Sequence, residues 1–128
     1  MAKFLNLPMK KKWYDMVLAG EKRQEYRLVK PYWETRIKNW IKQNIPDRAG
    51  DTTIILCGDK ERDTERRLPI CFVNGYGKDA PRFIGYCYFV EIRRIGLQKK
   101  WGEGEYDGIP HFVLHLGHIE KEVVYGKQ

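Results

Sequence analysis

Long apolar runs are missing from this 128-residue chain. No stretch approaches the ~20 residues that carry a helix across a bilayer. The opening "MAKFLNLPMKKKW" has no long apolar segment followed by a small-residue cleavage site, so no secretory leader is expected. Cysteine is scarce and odd in number: Cys57, Cys71 and Cys87 lie apart in apolar or aromatic settings, and none forms a CxxC pair. That excludes a disulfide framework and a zinc ribbon as sequence readings, and it predicts buried, reduced thiols in a cytoplasmic protein with no cofactor. Internal repeats and low-complexity segments are absent as well. The length fits one domain, which at this size buries roughly two thirds of its extended surface and builds a core without metal or disulfides.

Charge is present, and its placement is uneven. Residues 1 to 48 hold 12 of the 24 Lys and Arg but 5 of the 17 Asp and Glu, whereas the remainder holds 12 of each sign. The whole net charge of +7 therefore belongs to the first third. A one-sided positive field suits a phosphate-bearing partner; solvated lysine-rich helices are the plainer account of the same numbers.

Phe4, Leu5 and Leu7 read as a short strand ended by Pro8. Met9, Trp13, Met16 and Val17 follow at i, i+4, i+7 and i+8, which predicts a helix from Met9 to Ala19 with Gly20 behind it as C-cap. Lys10, Lys11 and Lys12 crowd the start of that helix, against its dipole. Residues 22–29 read as a strand of mixed polarity. Pro31 opens a second helix with Trp33, Ile37, Trp40 and Ile41 on one stripe. "TTIILC", "LPICFV", "RFIGYCYFVEIRRI" (with a break expected at Gly85) and "HFVLHLG" read as strands. "GDKERDTERR", "NGYGKDAP" and the glycine-dotted 96–110 read as connections. Helices bunched early and strands late predict an α+β domain or a small, partly closed barrel with helices at its edge.

The octet "GEKRQEYR", residues 20–27, stands out within this order. Gly20, Lys22, Glu25 and Arg27 match GxKxxExR, and "WYDMVLAGEKRQEYR", "GDTTIIL", "IGYCYFVEI" and "HFVLHLG" follow in the corresponding order. In these features the chain resembles the ASCH domains, relatives of the PUA fold, and "KPYW", "NGYGKDAP" and Trp101–Gly102 are similar to a bacterial and phage-type branch. The resemblance spans nearly the whole chain. It implies a PUA-like barrel of about five to six strands, with two N-terminal helices at its edge and a basic cleft against the first helix. It also implies binding of RNA or a modified nucleoside or nucleotide. Some members hydrolyse acetylcytidine with a lysine, a threonine and a glutamate, and another is a ribonuclease. By motif position Lys22 matches the lysine and Glu91 the glutamate. Glu25 stands where the threonine would be and removes that hydroxyl.

Strand alternation puts Glu25 and Arg27 on one face. If these groups gather in a cleft, a carboxylate of raised pKa (Glu25 or Glu91) activates water, Lys22 stabilises developing charge, and Arg27 grips an anionic substituent. The alternative role for Lys22, Glu25 and Arg27 is an ion pair that closes one end of the barrel. Tyr26 adds an aromatic among cations. Asn74, Tyr76, Lys78 and Arg82 in and after "NGYGKDAP" form a candidate rim, with glycine backbone for phosphate and tyrosine for base stacking. His111, His115 and His118 are too spread along a strand to chelate, so no metal site is expected. Three functions stay open: nucleic-acid or nucleotide binding, a metal-free hydrolase, and a protein-interaction module.

Overall fold

The computed structural model describes residues 3–45, 54–56, 68–94 and 109–124. Cys57, the loop 57–67, Trp101, Gly102 and most of the 96–110 connection lie outside the described residues. The architecture is α+β. Among the described residues six strands, β1 (Leu5–Met9), β2 (Gln24–Leu28), β3 (Ile54–Leu56), β4 (Leu68–Asn74), β5 (Arg82–Arg94) and β6 (Pro110–Ile119), form one mixed sheet with helices α1 (Lys11–Leu18) and α2 (Pro31–Asn44). The sheet runs β1-β4-β5-β6-β2, with β3 pairing the far half of β5, and it curls into a half-barrel. β1 and β4 are parallel; every other pair is antiparallel. No helix among the described residues is long and apolar enough to cross a membrane.

Alternation along the strands fills the concave face. Leu5, Leu7 and Met9 of β1, Ile70 and Phe72 of β4, Phe83, Cys87 and Val90 of β5, and Phe112, Leu114 and Leu116 of β6 are buried in one cluster. Tyr14 and Val17 of α1 and Ile37, Trp40 and Ile41 of α2 close it from the other side. The Trp40 indole N–H donates to the Pro69 carbonyl at 2.9 Å, so this deeply placed polar group is satisfied. Phe72 and Phe83 stack with centroids 5.0 Å apart, and Tyr14 meets Phe83 edge-on at 4.9 Å.

Three local expectations change. Pro8 does not end β1, which continues to Met9. The Met9 carbonyl accepts from Gly75 N beyond β4, so alternation turns the Pro8 backbone to the free edge, where a missing N–H costs no ladder bond. Met9 accordingly joins the sheet, the helix starts at Lys11, and the buried stripe is Tyr14 and Val17, with Trp13 half-buried. Gly85 does not break β5: the strand runs through, with register shifts against β6 between Gly85 and Phe89. Those shifts explain why Cys87 and Val90, three apart, both point inward.

Candidate functional site

Among the described residues, β2 and β1 are the two ends of the strand path, and each keeps one row of backbone groups without a strand partner. The direction of the β2 row follows from one bond: Leu116 N donates to the Arg23 carbonyl at 2.9 Å, so Arg23 faces β6. Successive carbonyls alternate, and those of Gln24 and Tyr26 therefore face the free edge. They are the two that side chains cap. Lys22 Nζ donates to Gln24 O at 2.5 Å, and Arg27 Nη1 donates to Tyr26 O at 2.8 Å. Arg27 Nη2 then reaches across to Pro8 O on the outward row of β1, at 3.3 Å. Where a full barrel would zip two strands by backbone bonds, here the Arg27 side chain bridges them, while Lys22 caps β2 alone.

Glu25 joins the two cations. Its Oε1 accepts from Lys22 Nζ in a short contact, and its Oε2 accepts from Arg27 Nη1 at 2.6 Å. Lys22 and Glu25 are each 3% exposed, while Arg27 keeps 16% of its side chain in solvent. Burial holds the Lys22 ammonium below its ordinary pKa, the Glu25 carboxylate opposes that shift, and Arg27 adds to it. Aromatic faces flank the seam: the Tyr26 ring centroid is 5.0 Å from Lys22 Nζ, and the Trp33 centroid is 5.2 Å from the Arg27 guanidinium carbon. Burial also raises the Tyr26 hydroxyl pKa, helped by the nearby Glu25 charge and opposed by Arg93. With all three groups ionised, the triad carries one positive charge more than its carboxylate neutralises.

Glu91 is not part of this seam. Glu25 pairs with Leu114, and Leu114 pairs with Val90, so these three share the concave face. Glu91 is one residue further along β5 and points to the opposite face, in a row with Val113 and Tyr26. There it accepts from His115 Nε2 at 2.5 Å and lies 3.5 Å from Arg93 Nε. The hydrolase constellation of Lys22, Glu25 and Glu91 is thus divided by the sheet itself. Lys22, Glu25 and Arg27 do converge.

The β4–β5 turn is a separate place. Gly75, at φ 92°, is in the left-handed region and donates to Met9 O, which fastens the turn beside Lys10. Tyr76 stands 89% exposed, and Lys78 is exposed too. Arg82 is directed inward at its own loop: Nη2 donates to Lys78 O at 2.8 Å and Nε to Ala80 O at 3.2 Å. It braces the turn. Asn74 N takes the Pro81 carbonyl at 2.9 Å, closing the same loop.

Sequence reasoning missed Gln24 and gave His115 only a chelation test. Gln24 lies directly opposite His115 in the β2–β6 register, and its amide is 3.4 Å from His115 Nδ1. Period-two alternation places Gln24 with Tyr26, but only the β2–β6 register could have found His115. His111 donates from Nδ1 to Ile109 O at 2.7 Å, and His118 stacks on Tyr86 at 6.1 Å. Among the described residues no three His, Cys, Asp or Glu side chains gather as a metal site would require. Cys71 and Cys87 are buried; Cys87 Sγ donates to Phe89 O at 3.2 Å, and burial raises the Cys71 pKa against the pull of Arg82. No family model, no curated protein and no solved structure matches this chain.

Proposed function

We propose that the chain is a binding module of ASCH-like, PUA-related type, which takes RNA or a modified nucleoside or nucleotide at the seam between β1 and β2. One observation carries the reading: two cations share a single carboxylate at an edge the sheet leaves unclosed. A desolvated cluster with surplus positive charge is a favourable place for an anionic or strongly accepting oxygen. Arg27 offers the partly exposed guanidinium, whose planar fork suits phosphate. Trp33 beside Arg27 and Tyr26 beside Lys22 provide rings on which a base can rest. Further out, exposed Lys10, Lys11, Lys12, Lys78 and Tyr76 extend a basic and aromatic rim.

The test is fluorescence anisotropy with a labelled, terminally phosphorylated hexauridylate over a range of salt. Binding is expected to weaken log-linearly with salt, and Arg27→Gln is expected to weaken it about tenfold while circular dichroism stays native. Absence of binding at low salt, or an Arg27→Gln variant that binds like the wild type, overturns the reading.

A second reading, a metal-free hydrolase, draws on the lowered Lys22 pKa, the direction a general base needs. Glu25 works against it by holding the ammonium, and Glu91 faces away. Turnover of modified nucleosides, followed by mass spectrometry and abolished in a folded Lys22→Met variant, would put catalysis in place of binding.

A further inference from the structure

The sheet face opposite the core carries a polar chain that meets the seam at Tyr26. Tyr26 Oη donates to Gln24 Oε1 at 2.7 Å, Gln24 Nε2 lies 3.4 Å from His115 Nδ1, and His115 Nε2 lies 2.5 Å from Glu91 Oε2. Cross-strand register places these groups side by side, since Gln24 pairs with His115, and Tyr26 and Glu91 both pair with Val113. An ionised carboxylate only accepts, so the imidazole proton resides on Nε2. Neutral His115 then presents Nδ1 as an acceptor, Gln24 supplies the N–H, and the Gln24 carbonyl receives the tyrosine proton. Every role in the chain agrees with one protonation state.

Adding a proton at Nδ1 breaks that agreement. Both ring nitrogens become donors, and the Gln24 NH2 group confronts an N–H. Half a turn of the Gln24 amide restores the bonds: Oε1 accepts from Nδ1–H, and Nε2–H faces Tyr26 Oη. The tyrosine oxygen now accepts within the chain, and its own proton turns outward.

We propose that this relay lets the protonation of His115 set the hydrogen-bonding polarity of Tyr26 toward a ligand at the neighbouring seam. The hydroxyl offers lone pairs outward when His115 is neutral and a proton when it is charged. The ligand part of the inference rests on the binding reading given above. It names the favoured ligand chemistry: acceptor oxygens, phosphate or base carbonyl, are held more tightly on the acid side. Among the described residues, the charged and titratable groups around the relay are few. From β5 come Glu91, Arg93 and Tyr88, whose ring is 6.1 Å from His115. From the β2 side comes Lys22, over the Tyr26 ring, and on β6 His111 stands opposite Arg93.

Nuclear magnetic resonance of the free protein tests the relay without any ligand. His115 is expected as the Nε2–H tautomer at high pH, and the Gln24 side-chain amide signals are expected to move with the His115 midpoint. A neutral Nδ1–H tautomer, or a Gln24 amide that stays flat through the His115 titration, overturns the relay. The ligand arm uses the terminally phosphorylated hexauridylate above and below that midpoint. Affinity is expected to be about three- to tenfold higher on the acid side, the scale of one hydrogen bond. In Tyr26→Phe and Gln24→Met, with native melting curves, that difference is expected to shrink equally, to what the added charge alone supplies. Variants that keep the full wild-type difference overturn the link to the ligand. A responsive Gln24 beside an RNA that never binds supports the relay and overturns the binding reading instead.

Discussion

At the residue scale the seam makes an asymmetric demand on its three charges. Glu25 is shared, so replacing it leaves two cations facing each other in a desolvated gap; replacing Lys22 leaves Glu25 still paired with Arg27. Breaking a buried pair from its common member costs about 3–5 kcal/mol, whereas losing one of two partners costs about 1–3 kcal/mol. Glu25→Gln is therefore expected to destabilise more than Lys22→Met in denaturant unfolding, and the reverse order would refute the shared-carboxylate account. Lys22 also gives a pH signature. Its folded pKa lies below the ordinary 10.5, so between those two values the unfolded chain binds more protons and stability rises with pH. Below the folded value both states are protonated and the slope vanishes. The stability difference between wild type and Lys22→Met should climb toward pH 10.5 across that window, and a flat or falling difference would show that burial does not dominate.

At the element scale, β5 is the organiser, pairing β4, β3 and β6 along its length. Gly85 makes this possible by absence of a side chain. A Cβ there would lie 2.6 Å from Ile119 Cδ1 and 2.7 Å from Phe72 Cε2, where the strand crosses the Phe72–Phe83 stack. Overpacking of this sort costs about 1–3 kcal/mol, so Gly85→Ala should lower the unfolding midpoint; an unchanged midpoint would mean that Phe72 yields freely. The elements themselves were legible in sequence because two periods announce them. α2 showed its stripe and its Pro31 start, and β4 and β6 showed their apolar runs. Pro8 and Met9 were misplaced because a proline ends an inner strand but not the free side of an edge strand, and strand order is invisible in a single sequence.

At the scale of the whole molecule, the basic residues of the first third that the structure describes fall into two populations. Lys22 and Arg27 are consumed at the seam, while Lys3, Lys10, Lys11, Lys12, Arg23, Lys30, Arg36, Lys38 and Lys42 are exposed. The exposed set acts at long range, so association with single-stranded RNA should carry a salt slope of about 0.7 per phosphate neutralised. Changing Lys10, Lys11 and Lys12 together to Gln should flatten that slope with the melting temperature unchanged or higher, since the helix start is relieved of repulsion. An unaltered slope would remove these lysines from the interface.

The sequence by itself determined the α+β class, the two amphipathic helices, the apolar strands and the placement of Glu25 and Arg27 on one face, because those features repeat at local periods of 3.6 and 2. Only the tertiary structure decided that Lys22 and Arg27 cap the outward carbonyls of an unclosed edge, that Glu91 belongs to the opposite face, and that Gln24 and His115 meet. Those outcomes depend on which strands neighbour one another and in what register. A shift of one residue in pairing would exchange the two faces, and no local pattern in the chain encodes that choice.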